Sequence, residues 1–227
     1  MRKLLKHLLS SGKRIQYFYF MMMILSFLIS GCEVGVKPPY EVENYLLSYS
    51  APSFDKLDKL NMSIKFNRFS IAAAYNSDNM IFRKDPYSFD YFNYSRWAVN
   101  PADMIADSLL RDMRGSSLFR AVFSRYETED GQFIISGGIE EFFLRTDKIG
   151  KTAVVRIIVS LQDTREKETE KRMIFQKKYS REEPLQESSP RGYCQAASEA
   201  VRIISEQITK DVYTNIKATI QSTTGNP

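Results

Sequence analysis

Alternating apolar and polar side chains predict that most of this chain forms β-strands. A period of two places the apolar residues of a strand on one face. The alternation slips at Asn67–Arg68, and Gly137-Gly138 interrupts another apolar segment, so we expect a bend or bulge in each of these two strands. A turn at Lys84-Asp85-Pro86 separates two others. The predicted strands cover residues 44–50, 62–73, 79–83, 87–98, 118–126, 132–147, 152–164 and 172–180.

Two segments instead repeat apolar residues every three or four positions, which predicts helices. The first begins at its N-cap Asn100, has Pro101 at the first helical position and ends at Gly115. The second runs from about Tyr193 to Ile220, roughly 40 Å at 1.5 Å per residue. A helix of that length would overhang a small sheet. We therefore expect its far end to contact a partner protein or a second copy of this chain.

This order of elements predicts an α+β fold. The simplest arrangement is a single mixed or antiparallel β-sheet covered on one face by the two main helices, an α/β sandwich. We expect the strands between residues 132 and 180 to form an antiparallel meander, and residues 181–192 to form a loop. No domain boundary is visible inside 43–220, and residues 221–227 are expected to be a disordered tail.

The first 31 residues have the layout of an export signal. Basic residues are followed by the apolar run Ile15–Ile29 and then by the small residues Ser30 and Gly31. The run of about 15 residues is shorter than the roughly 20 residues of a membrane-spanning helix. An uncleaved N-terminal anchor is the alternative interpretation.

This leader also accounts for the basic charge of the chain. It carries five basic residues and no acidic one, namely Arg2, Lys3, Lys6, Lys13 and Arg14. Removing these from the 32 basic residues leaves 27, equal to the 27 acidic residues. The remainder is therefore neutral and gives no support for a nucleic-acid partner.

The end of the apolar run, Ile29-Ser30-Gly31-Cys32, resembles a bacterial lipobox. In such signals the leader is cut before the cysteine, which then carries acyl chains. Two or more chains give stable anchoring, because each buried CH₂ contributes about 0.8 kcal/mol. We therefore predict lipidation of Cys32 and a Pro-containing tether over residues 32–42.

The second cysteine, Cys194, is then left without a partner. A disulfide between Cys32 and Cys194 is the competing possibility. Because Cys194 stands at the start of the second predicted helix, we expect a small, buried, hydrophobic side chain.

The residues of most catalytic and metal sites are missing from the predicted domain. The only histidine is His7, in the leader, which removes Ser-His-Asp and Cys-His arrangements and the usual zinc sites. Glu140 and Glu141 are adjacent, and neighbours on a strand point to opposite faces unless a bulge reorients one of them. A Ser–Lys pair is left open. We expect a protein that is not an enzyme and needs no cofactor.

The segment Tyr87–Trp97, YSFDYFNYSRW, is unusually aromatic. One interpretation is an exposed aromatic surface for an acyl chain or a partner. The other is a strand packed under the two helices.

The segment from Phe89 to Phe123 resembles the signature of the ABC-type transport auxiliary lipoproteins. The resemblance rests on an aromatic strand, the Arg96-Trp97-Ala98 element, Pro101, an amphipathic helix over Ala102–Met113, and a small-residue turn into a Leu-Phe strand. The early YLLSY at 45–49 and the helix starting YCQAASEAV also fit. The sequence departs from the family pattern at Ile71–Asn79, where a proline-rich connection is usual.

The resemblance implies a periplasm-facing lipoprotein without catalytic activity. It would bind a periplasmic MCE-domain protein, with its permease and ATPase, and help phospholipid pass between the inner and outer membranes. Arg96 and Trp97 would fix the corner between strand and helix. Glu33, in place of the aspartate that retains such proteins at the inner membrane, favours the outer membrane. The alternative function is a lipoprotein that assembles a β-barrel or secretin in the outer membrane.

Overall fold

The computed structural model describes residues 19–21, 23 and 40–224. Two compact units divide after Tyr40, and the strands and long helices reported below belong to the unit that begins at Glu41. Residues 19–21 and 23 are helical. His7, Glu33 and the lipobox with Cys32 lie outside the described residues. In the part of the chain that is described, no helix is long and apolar enough to cross a membrane.

The unit that begins at Glu41 contains nine strands and three α-helices and has the predicted α+β fold, with one short helix more than expected. A short 3₁₀ turn at Ala73–Tyr75 lies between two of the strands. The elements are β1 (Glu43–Tyr45), β2 (Leu60–Phe66), β3 (Ser70–Ile71), β4 (Asn79–Arg83), β5 (Asp90–Trp97), α1 (Pro101–Gly115), β6 (Phe119–Phe123), β7 (Phe133–Thr146), β8 (Lys151–Asp163), α2 (Thr169–Arg172), β9 (Met173–Pro184) and α3 (Pro190–Thr224).

The long strand β7 organises the single mixed sheet. Along one side it pairs antiparallel with β8, and β8 pairs antiparallel with β9, which confirms the predicted meander. Along its other side three parallel strands follow one another: β2 at its start, β3 near its middle and β4 at its end. The sheet then forks, with β6 parallel to β2 on one branch and β5 and β1 beyond β4 on the other.

The core lies between one face of this sheet and the two long helices. In β8 the alternate residues Val155, Ile157, Val159 and Leu161 are fully buried against helical residues such as Val201 and Ile204. The opposite face carries only a small apolar cluster of Tyr75, Ile81, Phe143 and Val154. Covering one face of the sheet is the arrangement that the alternation predicts.

Two predicted boundaries were wrong. The strand expected over 44–50 is limited to β1, because the following chain turns inward, where the buried Leu47 directs its N–H to the Met104 sulfur at 3.4 Å. The loop expected over 181–192 is shorter, because β9 continues to Pro184 beside the start of β8.

Both predicted helices are present. In α1 the Asn100 side chain accepts the Ala102 N–H at 3.0 Å and Pro101 occupies the first turn, as expected. The helix ends at Gly115, as predicted, and Ser117, with a φ of 57°, makes the left-handed turn after it.

The expected overhang of the C-terminal helix is also wrong. Buried side chains continue along α3 to Val212, Tyr213 and Ile216, and Ile220 packs against the same core. Residues 221–224, expected in a disordered tail, continue the helix.

Candidate functional site

The corner between β5 and α1 is built around the Trp97 side chain. Its ring lies 5.1 Å from that of Phe142 and 5.3 Å from that of Tyr193, between centroids, and it is 1% exposed. The Trp97 indole N–H and the Tyr193 hydroxyl are both buried without a hydrogen-bond partner. Burial also raises the pKa of the Tyr193 hydroxyl. Trp97 therefore joins the strand, the sheet and α3 through apolar packing.

The segment that departs from the family pattern holds this corner in place. The carbonyl of Asp78 accepts the Trp97 N–H at 2.7 Å, and the Asp78 carboxylate pairs with the half-exposed Arg96 at 3.5 Å. The Asn76 side chain accepts a hydrogen bond from the Asn100 amide at 2.8 Å. Arg96 and Trp97 thus both contact Asp78 at this corner. Sequence patterns gave no signal for Asn76 and Asp78.

A buried carboxylate ties the two long helices together. The side chain of Asp112, on α1, is fully buried and accepts hydrogen bonds from the hydroxyls of Tyr49 and Ser205, both at 2.7 Å. Arg111 donates to its other oxygen at 2.8 Å and stacks over the Tyr49 ring. Burial, followed by the bond to Asp112, raises the pKa of Tyr49. Sequence analysis missed this cluster, because an aspartate in an amphipathic helix is usually on the solvent face.

Cys194 is a free, buried thiol, as expected for a small hydrophobic side chain. Its Sγ donates to the Leu46 carbonyl at 3.1 Å, and burial raises its pKa. A groove of about 740 Å³ lies beside it and is lined mostly by polar atoms of the segment 43–48 and the start of α3. Burial therefore disfavours the thiolate, which is the reactive form of a cysteine.

Glu140 and Glu141 lie on the same face of the sheet, each in an ion pair of its own. The register of β7 and β8 shifts at Glu140, so the bulge lies there rather than at Gly137-Gly138. The shift turns both carboxylates to the open face of the sheet. There each has its own cation, Lys178 at 2.6 Å for Glu140 and Arg156 for Glu141.

The aromatic segment is divided between core and surface. Trp97 is buried and Phe92 packs against the core, so for these two the packed-strand interpretation is correct. It is wrong for Tyr87, Phe89 and Tyr91, which are 98%, 57% and 47% exposed. These exposed rings, at the loop before β5 and the start of that strand, are the candidate interaction surface of the described unit.

Among the described residues, no group of three or more His, Cys, Asp and Glu side chains is placed to hold a metal ion. Pro101 is buried in the first turn of α1 and serves the fold.

Structural comparison gives relatives with the same fold and little sequence identity. The crystal structure of a Xanthomonas campestris protein of family DUF330 matches with a TM-score of 0.69 at 14% identity, covering 78% of this chain and 98% of that one. An uncharacterised protein of known structure matches with a TM-score of 0.57 at 10% identity, covering 72% of this chain and 99% of that one. No curated protein sequence matches.

The family comparison covers α1, the corner at Trp97 and the part of α3 up to Thr209. The model of the family described as the ABC-type transport auxiliary lipoprotein component matches residues 45–209, well over half of the chain. This segment includes Arg96, Trp97 and Pro101, on which the resemblance in the sequence rested. The chain belongs to the ABC-type transport auxiliary lipoprotein family.

Proposed function

We propose that this protein is a non-catalytic, membrane-anchored accessory component of an MCE-type transport system that carries phospholipid between the inner and outer membranes. One observation carries the proposal: a chain of the transport auxiliary lipoprotein family, matched over residues 45–209, is preceded by a lipobox ending at Cys32. The described domain adds support, since its adjacent glutamates are occupied in ion pairs and its thiol is buried.

The proposed anchor is the acylated Cys32, joined to the folded domain by the tether over residues 32–42. Glu33 follows the lipidated cysteine, which favours the outer membrane. Density-gradient separation of the two membranes tests this placement. We expect the wild-type protein in the outer-membrane fraction and the Glu33→Asp variant in the inner-membrane fraction. Wild-type protein in the inner membrane would contradict the placement but not the anchoring.

Affinity purification from detergent-solubilised membranes tests the partner. We expect the wild-type protein to recover an MCE-domain protein together with a permease and an ATPase. Cys32→Ala should reduce this recovery, because a protein without acyl chains is no longer concentrated at the membrane. Cys194→Ala is the matched control and should leave the recovery unchanged. Recovery of a β-barrel or secretin without an MCE-domain protein would overturn the proposal.

A further inference from the structure

Two loops at one end of the sheet place apolar side chains fully in water. Tyr87, before β5, and Ile149, between β7 and β8, are each 98% exposed, and Phe89 is 57% exposed. Isolated exposed apolar residues are common on protein surfaces, but a group of them at one end marks an interaction site.

Both loops are built in the same way. The Asp85 carboxylate accepts the N–H groups of Tyr87 and Ser88 at 2.8 and 3.0 Å. The Asp147 carboxylate accepts the N–H groups of Ile149 and Gly150, also at 2.8 and 3.0 Å. In each loop the exposed apolar residue therefore stands two positions after an aspartate that fixes the backbone beneath it.

The two loops are neighbours. Arg83, which ends β4, is paired with Arg145 near the end of β7, so the chain leaves both strands at the same edge. A groove of about 350 Å³ between them is lined by Asp85 and Pro86 of one loop and Asp147 of the other. We call these two loops, Lys84–Phe89 and Asp147–Gly150, the tip.

The first strand points its N-terminal end toward the tip. β5 begins at Asp90, directly after the tip, and runs away from it. β1 is parallel to β5, with Glu43 opposite Ser95, so the N-terminal end of β1 points to the end of β5 that carries the tip. The five residue steps from Asp90 to Ser95 span at most about 17 Å.

We propose that the tip rests on the phospholipid surface to which Cys32 is anchored, with Tyr87 and Ile149 inserted among the lipid headgroups. This inference rests on the anchoring given under Proposed function. The 11 residue steps from Cys32 to Glu43 reach about 36–40 Å when extended, roughly twice the distance from Ser95 to the start of β5. Tyrosine has an apolar ring and a polar hydroxyl, which suits the boundary between acyl chains and water. Lys84 and Lys148, both exposed on the tip, suit lipid phosphates.

Bromine quenching of tryptophan fluorescence tests this contact. The mature protein, purified from membranes, is reconstituted into vesicles of phosphatidylethanolamine and phosphatidylglycerol with chains brominated near the headgroup. Single variants Tyr87→Trp and Ile149→Trp report on the tip, and the natural Trp97 is buried and supplies a constant background.

Tyr126→Trp is the matched control. Tyr126 is 77% exposed, like the tip residues. Its position is given by the next residue, Glu127, whose carbonyl accepts a hydrogen bond from Lys65. Lys65 pairs with Ile134 of β7, 11 residues from Arg145, so this site lies about 35 Å from the tip.

We expect the added fluorescence of the two tip variants to be quenched at least twofold more than that of Tyr126→Trp. Equal quenching at all three positions, in protein that still floats with the vesicles, would overturn the tip contact and leave the anchoring intact. Wild-type protein that fails to float would overturn the anchoring and the tip contact together.

Discussion

The hydroxyl of Ser205 donates a hydrogen bond to the buried carboxylate of Asp112 at 2.7 Å, and so joins α3 to α1 through a polar contact inside the core. Tyr49 and Arg111 complete the set of donors around the same carboxylate. A buried charge with several partners is costly to disturb, because each partner loses its bond without regaining water.

Replacing this carboxylate should therefore destabilise the fold. We expect Asp112→Ala to lower the free energy of unfolding by about 3 kcal/mol, within the range for breaking a buried ion pair. Denaturant unfolding followed by circular dichroism measures it. Asp107→Ala is the control on an exposed position of the same helix and should change the free energy by less than about 0.5 kcal/mol. Equal effects of the two substitutions would contradict a special role for Asp112.

Removing the Tyr193 hydroxyl should instead stabilise the fold. This hydroxyl is fully buried and has no hydrogen-bond partner, so no hydrogen bond compensates for the hydration that it loses on folding. We expect Tyr193→Phe to raise the free energy of unfolding by about 1 kcal/mol, since the ring contact with Trp97 is kept. The same substitution at Tyr49, whose hydroxyl is bonded to Asp112, should lower it. Stabilisation by both would show that neither hydroxyl contributes a useful bond.

Gly137 lies under an aromatic ring. A Cβ at this position would stand 2.4 Å from the Phe69 ring, which is itself 2% exposed and held in the core. We expect Gly137→Ala to lower the thermal unfolding midpoint, at a cost of about 2 kcal/mol for overpacking. Gly115→Ala, where a Cβ has nothing within 4 Å, should instead raise the midpoint, because alanine favours the helix by about 1 kcal/mol. A lower unfolding midpoint for Gly115→Ala would contradict the free space around this position.

The fold should lose stability in alkaline solution because tyrosine side chains ionise there. The bond to Glu43 raises the pKa of Tyr45 to about 12, and burial and Asp211 raise the pKa of Tyr179. A raised pKa means that the folded state holds the proton more tightly than the unfolded chain does. The stabilisation that these tyrosines give the folded state is complete below pH 10 and is lost as the pH rises through 10 to 12 and above.

Unfolding by denaturant at intervals from pH 8 to 12 measures this loss. Tyr179→Phe removes the hydroxyl that donates to Asp211 at 2.7 Å, so the free energy of its unfolding should decline less steeply above pH 10. The other tyrosines are the same in both proteins, so the difference between the two slopes reports on the contact of Tyr179 with Asp211, which Lys177 shares. Parallel curves would show that Tyr179 has the same pKa in the folded and unfolded states.

Local patterns predicted the elements whose determinants are local. The strict alternation of β8 and the capping residues Asn100 and Pro101 gave the meander and the start of α1 correctly. The extension of β9 to Pro184 was missed, because its residues are mostly charged and become a strand only by pairing with β8. The bulge at Glu140 likewise depends on the register with β8.

The candidate surface was predicted as one of two alternatives and the structure divides it between them. Tyr87, Phe89 and Tyr91 have the alternation of a strand, but pairing begins only at Asp90, since Asp85 closes a turn first. The aspartates at positions 85 and 147 were the available signal, because aspartate commonly bonds to the backbone two residues later. Their meeting at one edge follows from the parallel register of β4 with β7, which no local pattern specifies.

The parallel pairing of β1 with β5 also has a mechanical consequence. A pull on the chain upstream of Glu43, directed past the tip, acts along the axis of both strands. The three residue pairs of this ladder and the Ala98 N–H bonded to the Tyr45 carbonyl at 2.8 Å are then loaded together in shear, rather than opened one after another as in a peeling hairpin. A strand of three residues in this orientation therefore protects the core from tension on the N-terminal chain better than a hairpin of the same length.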